Sequence, residues 1–244
     1  MKQWQSITKD PNAPQLSQAR QGALAQARNQ KLIEDRVDYL CQLVKGKRVL
    51  DVGVVDHQLG SAESPEWLHG RLCEIASECE GVDVLPNEVA ELRRRGFSVS
   101  CTNIVERPLP RVFDAVVCGE VLEHIDATRD FLENCRKMLT ENGQLILTVP
   151  NPWYANVIMK AAFGSLTYQD NADHVAWYDP STIYELGGRC GLELQKYSGV
   201  RVQAGRSFAA RCFFKLADVW IKLGLRHEVL AKTMIYEFKP RTSE

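Results

Sequence analysis

Apolar residues along this chain fall alternately in short apolar runs and in helical stretches, the first of which carries a stripe spaced by three and four,. Residues 1–14 are polar, carry Pro11 and Pro14, and predict a loose arm,. Residues 15–44 favour helix, with Leu32, Ile33, Val37, Leu40, Leu43 and Val44 as a late apolar stripe and Gly46 available for a left-handed cap,. Strands are then expected at 48–52, 81–84, 97–101, 113–118 and 144–149,. Helices are expected between them, from Ser64 to about Glu78 with Pro65 in its first turn, over 86–95 before Gly96, and over 127–139,. The runs at 113–118 and 144–149 are apolar on both faces, as strands between two helix layers should be,.

From Pro150-Asn151-Pro152 to Asp179 the pattern loosens, and so long an irregular segment in a compact domain is usually a lid or insertion,. A helix over 180–188, a strand over 192–197, a helix over 206–223 and a strand over 234–238 close the chain. Strands alternating with helices imply parallel pairs joined by crossovers. The expected architecture is one doubly wound α/β domain over 15–244, with a mostly parallel seven-stranded sheet and a lid at about 151–179.

Composition narrows the class. The 244 residues are 45% hydrophobic and 25% charged, with 30 basic against 31 acidic side chains. That balance disfavours disorder and a generally nucleic-acid-binding surface. No apolar run approaches the roughly 20 residues of a membrane span, and the first residues lack the apolar core of a secretory signal,. The eight cysteines include no Cys-x-x-Cys pair and read as reduced, mostly buried thiols,. A cytoplasmic protein is the expectation.

In such sheets a ligand sits beyond the carboxyl ends of the strands. The first strand runs into Asp51-Val52-Gly53-Val54-Val55-Asp56-His57. Gly53 lets the backbone approach a ligand, and Asp51 could receive an ammonium or order the loop. Asp83 ends the second strand, where a carboxylate accepts hydrogen bonds from ribose hydroxyls or simply forms a charged strand tip. Further along stand Phe113 to His124, then Phe131-Leu132 to Met138-Leu139, then Gly143 to Asn151.

This ordered series resembles the class I S-adenosylmethionine-dependent methyltransferases, especially the branch containing ubiquinone-biosynthesis O-methyltransferases, over roughly residues 36 to 195. The resemblance implies S-adenosylmethionine as cofactor. It implies that Asp51 and Gly53 lie under its methionine part, that Asp83 binds the ribose diol, and that Val84 lies against the adenine. It also implies a polar contact to the adenine from near Asn103, followed by apolar Ile104, and backbone groups of Cys118 and Gly119 near the methionyl end. One departure stands out: Val55 and His57 occupy positions where the family usually has glycines. His57 therefore contacts the cofactor or the acceptor, or is a solvated loop histidine. A dinucleotide-binding dehydrogenase shares the strand-loop-acid logic, but its glycine fingerprint is absent,.

Glu120, Glu123 and His124 stand at i, i+3 and i+4. A helix there would put all three on one face at the strand tip. Two carboxylates and an imidazole suit a divalent ion such as Mg²⁺, which lowers the pKa of a bound hydroxyl. His174, in Asp173-His174-Val175-Ala176-Trp177, is a fourth candidate ligand. The arrangement resembles the metal site of metal-dependent ubiquinone O-methyltransferases and of small-RNA ribose 2′-O-methyltransferases. The plainer reading is that Glu-His only shapes the pocket. His174, or His124 without a metal, is the expected base for an acceptor hydroxyl.

Trp153, Tyr154, Phe163, Tyr168, Trp177 and Tyr178 either wall an acceptor pocket or pack the core,. Trp67 and His69 read as structural. The basic stretch 201–241, with Arg206, Arg211, Lys215, Lys222, Arg226 and Lys232, is either a solvated helix face or a surface for anionic partners or a membrane interface,. Residues 15–44 could pack against a second subunit. The expected reaction is O-methylation of a small-molecule or glycan-type acceptor. The alternatives are RNA ribose 2′-O-methylation, which the near-neutral charge disfavours, and a non-catalytic cofactor-binding partner protein, which the altered glycine loop keeps open.

Overall fold

A computed structural model describes residues 8–55, 64–164, 171–201, 219 and 226–241. His57, Tyr168 and, except for Val219, the expected helix over 206–223 with its basic side chains lie outside the described residues. No helix among the described residues is long and apolar enough to cross a membrane.

Among the described residues seven strands form one sheet: β1 (Arg48–Val52), β2 (Glu78–Asp83), β3 (Val99–Cys101), β4 (Phe113–Gly119), β5 (Leu139–Pro150), β6 (Leu192–Arg201) and β7 (Ala231–Pro240). Their order is β3-β2-β1-β4-β5-β7-β6. The first five pair in parallel, while β7 runs antiparallel to both β5 and β6. The sheet is mostly parallel, as expected, with β7 as the antiparallel strand that makes it mixed. Successive side chains on a strand face opposite layers, and the core obeys this rule. Leu50, Val116 and Leu145 pack on one face with Phe131, Leu132 and Cys135 of a covering helix. Val49, Ala115, Val117 and Ile146 pack on the other with Leu40, Val44 and Leu72.

The covering helices are α1 (Pro14–Ala27), α2 (Arg36–Val44), α3 (Leu68–Ile75), α4 (Pro86–Arg94), α5 (Thr128–Lys137), α6 (Ala155–Ala162) and α7 (Pro180–Arg189). Residues 15–44 are thus two helices rather than one. Between them the Asn29 and Ile33 amides donate to the Tyr197 and Gly199 carbonyls, so β6 diverts the backbone out of the helix. Asp35 then restarts it by accepting from the Asp38 amide,. The helix after β1 is also shorter than expected, because Glu78 and Cys79 already pair with Arg48 and Val49 of β1. The lid segment contains α6, whose eight residues include none that is buried.

Candidate active site

Strand order reverses between β1 and β4, which flank each other while β2 and β5 lie outside them. At such a switch the loops at the carboxyl ends part and leave a crevice. Here the crevice is a cleft of about 550 Å³, lined by Asp51 to Val55, Asp83 to Leu85, Thr102 to Val105 and Gly119 to Val121, with Glu123, His124 and His174 beside them.

Gly53 follows β1 with φ of 80°. A Cβ built there would collide with Val121 Cγ2, so both conformation and space favour glycine. Its neighbour Val55 donates its amide to Asp83 Oδ2 at 2.9 Å. Asp83 Oδ1 accepts from the Val84 and Leu85 amides at 2.7 and 3.2 Å. A carboxylate offers about four lone-pair sites, and three are used by amides among the described residues. One remains for a ligand hydroxyl.

Asp51 is buried and accepts from His69 Nδ1 through Oδ2 at 3.1 Å. Its other oxygen, Oδ1, is buried without a hydrogen-bond partner among the described residues. Burial pulls the His69 pKa down, but the bonds to Asp51 and Cys73 more than offset it and hold it at about 9. His69 is therefore a charged partner of the cofactor-loop acid, a role that its place on an ordinary helix turn did not announce.

At the tip of β4 the chain does not enter an α-helix. Glu120 takes φ of 57°, a left-handed conformation uncommon outside glycine. Its amide donates to the Thr148 carbonyl at 2.9 Å, and its Oε1 accepts from the Thr148 hydroxyl at 3.1 Å. Arg36 Nη1 stands 3.9 Å from the same oxygen. Burial pushes the Glu120 carboxyl up, with Arg36 opposing it. A 3-10 turn, Leu122–His124, follows. The expected single face carrying Glu120, Glu123 and His124 is thus broken: the strand-end twist turns Glu120 towards Arg36 and Thr148.

Glu123, His124 and His174 do gather, with one ligand atom from each lying within 4.8 Å of the others. The Val175 and Ala176 amides donate to the Glu123 carbonyl at 2.9 and 3.3 Å, which pins the lid segment against the turn. The two imidazoles meet edge to face at 4.8 Å. His124 Nδ1 lies 2.9 Å from Asp173 Oδ2, and His174 Nε2 lies 4.0 Å from Glu123 Oε1. Glu123 is 1% exposed, and neither of its carboxylate oxygens has a hydrogen-bond partner among the described residues. Burial first, and the Glu120 charge second, raise its pKa to about 8.

The remaining expected residues divide. Val84 is exposed and Ile104 buried, and both line the cleft. Asn103 lines it too, but its amide is engaged within its own turn by Glu106 and the Val105 amide. The Cys118 side chain is wholly buried in the core, and of the pair only Gly119 reaches the cleft. None of the described lid aromatics lines it. Trp153 instead faces a second cleft of about 900 Å³ beside α1, and Tyr178 is buried with its hydroxyl on Thr128.

A methyltransferase-domain family model matches residues 25–197, well over half of the 244-residue chain. The chain belongs to the class I S-adenosylmethionine-dependent methyltransferases. The ubiquinone biosynthesis O-methyltransferase of Coxiella burnetii (strain Dugway 5J108-111) is 27% identical over 174 residues, 68% of this chain and 72% of that protein. Its counterpart from Xylella fastidiosa (strain 9a5c) is 26% identical over 183 residues, 71% and 73% of the two chains. Among solved structures, an S-adenosylmethionine-dependent methyltransferase from Clostridium acetobutylicum ATCC 824 shares the fold, with a TM-score of 0.55 at 12% identity. That match covers 84% of this chain and 91% of the other.

The cleft of this methyltransferase fits the cofactor its family implies. The lone-pair site left on Asp83 suits a ribose hydroxyl, and the orphaned Asp51 Oδ1, which no donor among the described residues satisfies, suits an ammonium,. Val55 fits as well, because its backbone amide rather than its side chain makes the link to Asp83.

Proposed function

We propose that this methyltransferase methylates a hydroxyl oxygen of a small-molecule or glycan-type acceptor. Bound S-adenosylmethionine supplies a methyl group on a sulfonium, ready for in-line displacement. The chain's own work is to hold that group and to manage one proton. Asp83 holds a ribose hydroxyl, and Asp51 Oδ1 takes the ammonium. A hydroxyl is a weak nucleophile until its proton leaves, so O-methylation needs a base beside the acceptor. The observation that carries the reading is the pair of imidazoles at the tip of β4. Asp173 accepts the Nδ1 proton of His124, which makes Nε2 the basic nitrogen,. The curated relatives bear the name O-methyltransferase, which agrees with a hydroxyl acceptor.

A second reading rests on Glu123. A buried carboxylate with two orphaned oxygens, next to two imidazoles, is a donor set for a divalent cation,. Glu123, His124 and His174 would hold it, and its chemistry would be to lower the acceptor hydroxyl's pKa. Glu120 is not part of this set.

Calorimetric titration of S-adenosylmethionine, with Mg²⁺ and then with a chelator, tests the cofactor. Micromolar binding is expected, and its absence in both conditions would overturn the reading. Turnover with phenols, sugars and amines then tests the acceptor class, and methylation of amines alone would defeat the hydroxyl assignment. His124→Ala is expected to lower kcat by roughly 10²–10⁴-fold with cofactor affinity retained. Loss of turnover on chelation in the wild type would transfer the role to the cation.

A further inference from the structure

Behind the cofactor loop, outside the acceptor chemistry, lies a second group of metal-ligating side chains. His69 and Cys73 are one helical turn apart on α3, and Cys79 is the second residue of β2. One ligand atom of each lies within 4.8 Å of the others. All the described cysteines, these two included, are free thiols.

We propose that His69, Cys73 and Cys79 form a Zn²⁺ site that clamps α3 to β2 and, through Asp51, braces the cofactor loop. A tetrahedral Zn²⁺ with ordinary bond lengths sets an imidazole nitrogen and a thiolate sulfur about 3.6 Å apart. His69 Nε2 and Cys73 Sγ stand 3.5 Å apart. The other ring nitrogen, Nδ1, is held at 3.1 Å by Asp51 Oδ2. A metal-bound histidine characteristically gives its second N–H to a carboxylate in this way, which fixes the tautomer and aims the free lone pair at the ion. The ring cannot swing aside. A Cβ on Gly81 would come within 2.7 Å of its Cε1, and Trp67 and Phe97 pack within 5.2 and 5.7 Å of it.

The donor chemistry selects the ion. Two thiolates and an imidazole are soft to borderline ligands and favour Zn²⁺ over Mg²⁺. The site is thus distinct in kind from the oxygen-and-imidazole group at Glu123. Cys73 and Cys79 are half-buried rather than sealed in the core, and a water completes the fourth position as in other three-ligand sites. Ligation needs two thiolates and a lone pair on His69 Nε2, so binding releases to solvent the Nε2 proton of the charged imidazole as well as the thiol protons. The proposal does not depend on which acceptor the enzyme methylates.

The test uses the full chain, stripped of metal and kept under a non-thiol reductant, titrated with Co²⁺ as a spectroscopic stand-in. One equivalent is expected to give an intense near-ultraviolet sulfur-to-cobalt band and tetrahedral visible bands, both removed by added Zn²⁺. The Cys73→Ser and Cys79→Ser proteins, which keep the side-chain size, are each expected to lose the sulfur band or most of it. The His124→Ala/His174→Ala protein is expected to keep it. Asp51→Asn should weaken Zn²⁺ binding by roughly 10–100-fold while leaving the band shape intact. A missing sulfur band in the wild type overturns the proposal. So does a band that survives intact in both serine variants, or a Cys73–Cys79 disulfide that persists under the reductant.

Discussion

Two carboxylate–imidazole groups stand at this end of the sheet, and they have opposite electrostatics. At the first, Asp51 and His69 are both buried and lie at hydrogen-bond distance, 3.1 Å. At the second, Glu123 is equally buried, but its nearest imidazole nitrogen is 4.0 Å away at His174. The first pair stabilises its own charge, and His69 is held at about 9 despite burial. The second leaves a carboxylate whose cheapest state is protonated, with its pKa at about 8. Less than an ångström separates a built-in ion pair from a group that still wants a proton, a cation or a ligand donor. The molecule thus spends one acid on holding its loop and keeps the other available at the reaction end of the cleft.

The largest expected effect comes from breaking the satisfied pair. In metal-stripped protein Asp51→Ala strands a buried imidazolium, and uncompensated buried charges of this kind cost about 3–5 kcal/mol. Urea unfolding at pH 7 should show a loss of that size, whereas Glu123→Gln should show no such loss, since the glutamine replaces a carboxyl that is already largely neutral. Equal losses in the two variants would erase the distinction drawn between them.

Next in size is the pH dependence of the orphaned acid. Glu123 has an ordinary value of 4.5 and a folded value of about 8. Between those values the folded chain binds more protons there than the unfolded chain, so stability falls as pH rises from about 4.5 to 8,. The fall should amount to a few kcal/mol in chelator-treated protein and should vanish from that window in Glu123→Gln. His69 titrates in the same sense, but its contribution is complete below 6.5 and lost as pH rises through about 9. The residual slope in Glu123→Gln should therefore sit in the more alkaline window. Melting temperatures across pH 5 to 9 separate the two.

The sequence carries these two groups unequally. Strands β4 and β5 are legible because both faces are apolar, and the Gly53 and Asp83 positions follow from where such strands end. Glu123 and His124 are legible as neighbours at a strand tip. The turn of Glu120 away from them is not, because it depends on Thr148 across the sheet and on Arg36 from α2. The break between α1 and α2 is hidden for the same reason, since its hydrogen bonds go to β6 near the other end of the chain. His69 reads as an ordinary helix residue, with Cys73 one turn along, until the fold brings Asp51 and Cys79 to it. What stays local in the chain can be read from it; what depends on a crossover partner cannot.

Asp83 lies between the two extremes, and the smallest expected effect sharpens the comparison there. Among the described residues its carboxylate is neither paired with a cation nor orphaned: three backbone amides supply donors, and one acceptor site is left. Asp83→Asn keeps the shape but replaces one oxygen by an NH₂ group. Whichever way the amide turns, that NH₂ group faces an N–H of Val55 or those of Val84 and Leu85, so at least one loop bond is lost. Hydrogen bonds to a charged acceptor contribute about 1.5–3 kcal/mol, and neutral ones about half of that. Since the asparagine oxygen still accepts on one side, the loss of S-adenosylmethionine affinity should be near the lower figure, about tenfold. Calorimetry on the variant reads this directly. A loss of a thousandfold would mean that Asp83 behaves like Asp51, as the partner of a charge, rather than as a hydroxyl acceptor already three-quarters occupied by its own loop.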